Sequence, residues 1–345
     1  MTPQVKPRQL IELLAAAIPA KRNVLITGMP GIGKTALVLL AAKLCGANVI
    51  LCHPAIEDPT DIKGFPCIVG GEARFVPFGQ LKAMIDASTL TVVFLDDVGQ
   101  ATPAMQSAYM QVVWGGKVAG HAISEHVTFI AATNDRKHKA NVQGLIEPFK
   151  SRFACIVELV ADLAESRDWM IANGYQPELL AFLSFRPDLF AAFAASADMV
   201  NSPTPRTWEH FSHLLSLNLS PATRTAALAG AVGASAATEY LTFERMFAEL
   251  TSIPGILRDG KSGTIPTAHP DRMWAICAAL AHQVTRATMP QVAVYAKRLF
   301  DAGCGEYAAL LVGDIERRHP DLKDSAAYVG LITGEYGKLL TGRAA

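Results

Sequence analysis

The chain has 345 residues, half of them hydrophobic, with 31 Lys plus Arg balanced by 31 Asp plus Glu. That is enough length and apolar content for about two domains with full cores, and a formal charge of zero argues against DNA or RNA as the partner. The six cysteines (Cys45, Cys52, Cys67, Cys155, Cys277 and Cys304) form no CxxC pair, no signal-peptide layout opens the chain, and no apolar run is long and unbroken enough to span a bilayer; a soluble, cytoplasmic protein with reduced thiols is expected.

Up to about residue 160, helical segments alternate with short apolar runs bounded by turn residues, which predicts an α/β domain with a five-stranded, mostly parallel sheet flanked by helices. The five runs are Asn23 to Thr27, Asn48 to Cys52, Thr91 to Leu95, Val127 to Ala131 and Cys155 to Leu159. The first leads into Gly28-Met29-Pro30-Gly31-Ile32-Gly33-Lys34-Thr35, a complete GxxxxGK[ST] pattern that opens the helical run from Ala36 to Leu44. Glycines let backbone N–H groups turn toward phosphates and the helix N-terminus adds partial positive charge, so residues 28–36 are expected to bind a nucleotide. Lys34 supplies a mobile charge for the β- and γ-phosphates, and the Thr35 hydroxyl is suited to Mg²⁺.

Between the second and third strands, Gly70-Gly71 separates two apolar runs within Gly64 to Phe78 and predicts a hairpin. The third strand ends in Asp96-Asp97, the pattern of a Walker B segment. Asp96 is read as the metal partner beside Thr35, and Asp97 as the group that polarises the attacking water. A second hairpin is expected around Gly115-Gly116. Beyond residue 160 helical periodicity takes over, interrupted at Pro187, Ser202 to Pro205 and Ser252 to Pro254, with an exposed loop from Arg258 to Pro270. The expected division is a nucleotide-binding domain (1–160), a helical lid (161–257) and a C-terminal helical extension (258–345).

Taken singly, Asn134 at a strand end reads as a local hydrogen-bonding residue, and Arg152 and Arg206 as solvated charges. In order and spacing they resemble the AAA+ ATPases. Phe129-Ile-Ala-Ala-Thr-Asn134 resembles that family's sensor 1, Gly144-Leu-Ile-Glu-Pro-Phe-Lys-Ser-Arg152 its arginine that reaches the γ-phosphate held by the neighbouring subunit, and Pro205-Arg206 its sensor 2. Asp58-Pro-Thr-Asp-Ile-Lys-Gly64, Arg74-Phe-Val-Pro-Phe-Gly79-Gln-Leu and Pro205-Arg206 are similar to the MoxR group within that family. The resemblance implies ATP hydrolysis with Mg²⁺, hexameric rings of identical subunits, and chaperone-like remodelling of a protein client that often carries a von Willebrand A domain. Most AAA+ proteins have Glu where this chain has Asp97; the side chain is one methylene shorter, so its reach falls by about 1.5 Å, which points to slow turnover.

Two alternatives stay open at this stage: a nucleic-acid-directed motor or loader of the same fold, and a nucleotide-gated scaffold that scarcely hydrolyses. Cys52-His53 with Cys67 lacks metal-ligand spacing. His121, His126 and His138 are read as solvated or locally bonded, and Trp114 and Trp208 as packing anchors. Phe65, Phe75 and Lys117, on the two hairpins, are candidates for gripping a substrate in a ring's pore.

Overall fold

The computed structural model describes residues 2–135, 144–196, 198–248, 253–334 and 337; His138 lies outside them. In chain order the first part comprises β1 (Gln4–Val5), α1 (Pro7–Ala17), β2 (Val24–Gly28), α2 (Lys34–Leu44), β3 (Asn48–Cys52), α3 (Pro59–Lys63), β4 (Phe65–Val69), β5 (Glu72–Val76), α4 (Gly79–Asp86), β6 (Thr91–Leu95), α5 (Pro103–Gly115), β7 (Lys117–Val118), β8 (His121–Ala122), β9 (Val127–Asn134), α6 (Glu147–Lys150) and β10 (Cys155–Leu159). One parallel sheet runs in the order β1-β10-β2-β9-β6-β3. All of β6 and nearly all of β9 are buried, as strands covered on both faces must be, which is why they read as unbroken apolar runs.

The sheet contains the five expected strands and a sixth, β1. With two residues, β1 has no hydrophobic period to read and owes its existence to pairing with Glu158 and Leu159 of β10. The β4–β5 hairpin turns at Gly70-Gly71 as expected, both with positive φ. The second hairpin is displaced from its expected position. Gly116, at φ 58°, is the left-handed cap that ends α5, and the chain reverses at Ala119-Gly120 between β7 and β8. Two successive positive φ values make the twist-matched two-residue turn, and a glycine just past a helix is its usual stop.

The chain divides into two compact units: residues 1–162 with 193–199 and 204–206, and residues 163–192 with 200–203 and 207–345. The second is helical among its described residues, with α7 (Leu163–Ala172), α8 (Pro177–Phe185), α9 (Pro205–Leu215, its first two residues counted with the first unit), α10 (Pro221–Val232), α11 (Ala234–Ala248), α12 (Ile253–Arg258), α13 (Pro270–Gln283), α14 (Met289–Asp301), α15 (Gly305–Arg318) and α16 (Ala326–Thr333). Pro254, read as a break, sits in the first turn of α12, where a missing N–H costs nothing. Phe182 packs edge-on against Trp208, Tyr240 and Phe243. A separate apolar cluster gathers Ile253 to Leu331. Trp208 is fully buried and anchors packing as expected, whereas Trp114 is 69% exposed and does not. Among the described residues no helix is long and apolar enough to cross a membrane.

Candidate nucleotide site

The loop after β2 and the ends of β6 and β9 meet at one edge of the sheet, because parallel strands deliver their C-terminal ends to the same side. Gly28 pairs in register with Asn134, so the glycine loop and the amide are neighbours by construction. The loop needs its glycines for different reasons. At Gly28 a Cβ would lie 2.9 Å from the Leu159 carbonyl, and at Gly31 (φ 72°) it would lie 2.8 Å from Thr204 Oγ1. At Gly33, φ is 101° and, beyond its own chain neighbours, no atom of the described residues lies within 4 Å of where a Cβ would be. That open space stands over the start of α2, whose N-cap has no side chain to satisfy the first amides, the arrangement that suits a phosphate.

Lys34 is buried, and its Nζ donates to the carbonyls of Gly28 and Met29, both at 3.1 Å, and to Asn134 Oδ1 at 2.7 Å. The Asn134 amide passes the contact on, Nδ2 donating to Asp97 Oδ1 at 3.0 Å. Its two ends are therefore distinguished by their partners, since Oδ1 faces a cation and Nδ2 a carboxylate. Thr35 Oγ1 donates to Asp96 Oδ2 at 2.8 Å, and Asp96 Oδ1 accepts the Asp97 N–H at 3.0 Å. Thr35 and Asp96 thus form a pair of oxygen ligands of the type Mg²⁺ prefers.

Burial holds the Lys34 ammonium down at about 8, against the pull of Asp97 and Asp96 and with a further push from Arg206. Burial also raises the Asp97 carboxyl above its ordinary value and Asp96 adds to this, while Lys34, Arg206 and His53 oppose it. Asp97 adopts φ 53° and ψ 32°, a left-handed conformation that Asp and Asn tolerate better than other residues with a Cβ. The choice of Asp here therefore has a backbone reason that side-chain length alone did not reveal.

Arg206 joins this group, its N–H donating to the Gly31 carbonyl at 3.0 Å. Arg152 does not. It lies three residues before the start of β10, whose first residue pairs with Val24 at the beginning of β2. The five residues of β2, about 13 Å of strand, separate that edge from the glycine loop. Two neighbours of the site went unread in the sequence. His53 follows β3 and opposes the rise of Asp97, and Thr204 packs on Gly31. The signal for His53 was its place at a strand end, useful only once β3 is known to lie beside β6. Cys52, weighed with His53 as a metal ligand, is instead a buried thiol pushed up to about 12 by its desolvation, beside Tyr109.

The glycine loop, the carboxylate pair and the parallel sheet define the AAA+ P-loop fold, and residues 23–153 match the family model of the AAA domain (dynein-related subfamily). Residues 23–153 thus lie in an AAA+ P-loop fold, and a helical region follows it. Among solved structures it is similar to a point mutant of Thermotoga maritima RuvB, with 16% identity, 83% of this chain and 87% of that one covered, and a TM-score of 0.43. It is also similar to NtrX from Brucella abortus in complex with ADP, with 15% identity, 92% and 67% covered, and a TM-score of 0.36. No curated protein matches.

Proposed function

We propose that this chain is a Mg²⁺-dependent ATPase of the AAA+ kind that works in a ring of identical subunits. The observation that carries the proposal is the continuous contact from Lys34 through Asn134 to Asp97, with Thr35 and Asp96 beside it. Residues 28–36 hold the phosphates, with Lys34 and the α2 amides meeting their charge. Thr35 and Asp96 hold the metal, which when bound neutralises charge on the phosphate oxygens. Asp97, oriented at Oδ1 by Asn134, takes the proton of the attacking water. Arg206, tied to Gly31, reports the state of the loop to the helix it begins. Arg152, which stands by the beginning of β2 and away from its own loop, serves the site of the next subunit.

The finer proposal is the MoxR type, supported by residues 58–64, 74–81 and 205–206 and by the β4–β5 hairpin between the second and third expected strands. On this proposal the chain is cytoplasmic and forms a hexameric ring that remodels a protein client of the kind that carries a von Willebrand A domain. Residues 161–257 are proposed to serve as its lid and 258–345 as an extension packed with it in the second compact unit. The exposed Phe65, Phe75 and Lys117 of the hairpins are proposed to grip the client.

Steady-state hydrolysis and nucleotide affinity test the core of this proposal. Lys34→Ala is expected to weaken ATP binding by about 30-fold or more, the cost of a charged hydrogen-bond donor in a buried site. Asp97→Asn keeps the left-handed backbone and is expected to bind ATP normally while losing about 100-fold or more in turnover. The scaffold alternative, motivated by the short Asp97 carboxylate, predicts instead that Asp97→Asn and Asp97→Glu both leave an already negligible rate unchanged.

A further inference from the structure

We propose that Trp114 is a positioning residue for Arg152, its exposed indole serving as the platform that presents the guanidinium to a neighbouring subunit. The inference rests on Arg152 acting across a subunit contact. Arg152 Cζ lies 5.4 Å from the Trp114 ring centroid, inside the ~6 Å range in which the negative face of an aromatic ring attracts a cation. Trp114 occupies the last turn of α5, and its exposure shows that the ring is not held in a core. The guanidinium lies over this open indole and so meets one of its two faces.

The remaining contacts of Arg152 leave its charge available. Among the described residues its Nε is buried without a hydrogen-bond partner, and its Nη1 makes a long 3.4 Å contact to Ser151 Oγ. Among the described residues no carboxylate pairs with it. An arginine whose plane is set by stacking, and whose Nη donors have no anionic partner, is ready for an incoming phosphate.

The base beneath this pair is tied together by one side chain. Asn23 Nδ2 donates to the Val113 carbonyl at 3.1 Å and to the Arg152 carbonyl at 3.5 Å, while Asn23 Oδ1 accepts the Phe129 N–H at 3.0 Å. The residue before Trp114 and Arg152 itself are thereby joined to β9, the strand that ends in Asn134. Holding the arginine in one rotamer before it is engaged spares the entropy of ordering a long side chain during the reaction.

The test compares turnover, ATP affinity and oligomeric state for the wild type, Trp114→Ala, Trp114→Phe, Arg152→Ala and the double variant Trp114→Ala/Arg152→Ala. Trp114→Ala is expected to lower kcat by about tenfold with KM for ATP and ring assembly unchanged, and Trp114→Phe to restore most of the rate, since both rings offer a π face. In the Arg152→Ala background, Trp114→Ala should cost nothing further, because a residue that acts through the arginine has nothing left to position. If Arg152→Ala loses turnover while Trp114→Ala does not, the platform role falls and the trans arginine stands. A loss of equal size in both backgrounds, or a loss of assembly, also overturns the platform role alone. Full turnover in Arg152→Ala removes the trans assignment, and the platform role with it. Since Trp114 is exposed, its replacement leaves the core intact, and equal thermal melting of the Ala and Phe variants checks this.

Discussion

Lys34 sits where burial disfavours its charge, in contact with the loop carbonyls and Asn134 rather than with solvent. Its folded value of about 8 lies below the ordinary 10.5. Between those limits the unfolded chain binds more protons, so this residue makes the fold more stable as pH climbs through that window and imposes its full penalty below it. Nucleotide binding has the opposite preference, because a polyphosphate beside Nζ stabilises the ammonium and raises its pKa. ATP binding above pH 8 should therefore take up a proton, and Kd should weaken by up to about tenfold per pH unit until the bound-state pKa is passed. Calorimetry in buffers of different protonation heat measures the uptake directly; at pH 9 the Lys34→Ala variant should show none. Zero uptake in the wild type would mean that Lys34 does not meet the phosphates.

At the scale of elements, legibility followed how local the cause is. The glycine loop, the β6 run with its two acids and the Gly70-Gly71 hairpin are written in consecutive residues, so their positions were readable. The turn at Ala119-Gly120 was not, because Gly115-Gly116 carries the stronger turn signal and spends it on ending α5. Strand β1 and the exposure of Trp114 depend on partners far along the chain. The same holds for the buried ion pair that joins α7 to α15. Arg167 Nε donates to Asp314 Oδ1 at 2.7 Å, its Nη2 reaches Oδ2, and its Nη1 reaches Ser184. Asp314 is 1% exposed. Asp314→Ala leaves a buried cation without its partner, so the second unit should lose about 3–5 kcal/mol. Replacing both residues with apolar ones of similar volume should recover much of that loss. Urea unfolding of the three proteins decides it; a loss under about 1 kcal/mol for Asp314→Ala would show that water supports Arg167 instead.

For the whole molecule, the two ends of the sheet carry different parts of one proposed reaction centre. Lys34, Thr35, Asp96, Asp97 and Asn134 cluster at the C-terminal ends of the strands, and Arg152 stands by their beginnings. A head-to-tail contact is the symmetry that brings one edge of a subunit to the opposite edge of the next, and such contacts close into rings. The charge balance of the chain places no net repulsion in the way of that assembly. The arrangement makes a prediction that no self-contained active site shares. Lys34→Ala and Arg152→Ala should each be inactive alone, yet mixing them restores a complete site wherever an Arg152→Ala subunit is followed by a Lys34→Ala subunit. With equal amounts and random order, about a quarter of the sites qualify, so turnover should return to about a quarter of the wild-type rate if sites act independently. Hydrolysis measured against the mixing ratio should rise to a maximum near equal proportions. A mixture no more active than its components would place Arg152 outside the reaction or show that a single defective subunit stops its ring, and doping either variant into wild type separates these: the second case falls far faster than linearly with the fraction added.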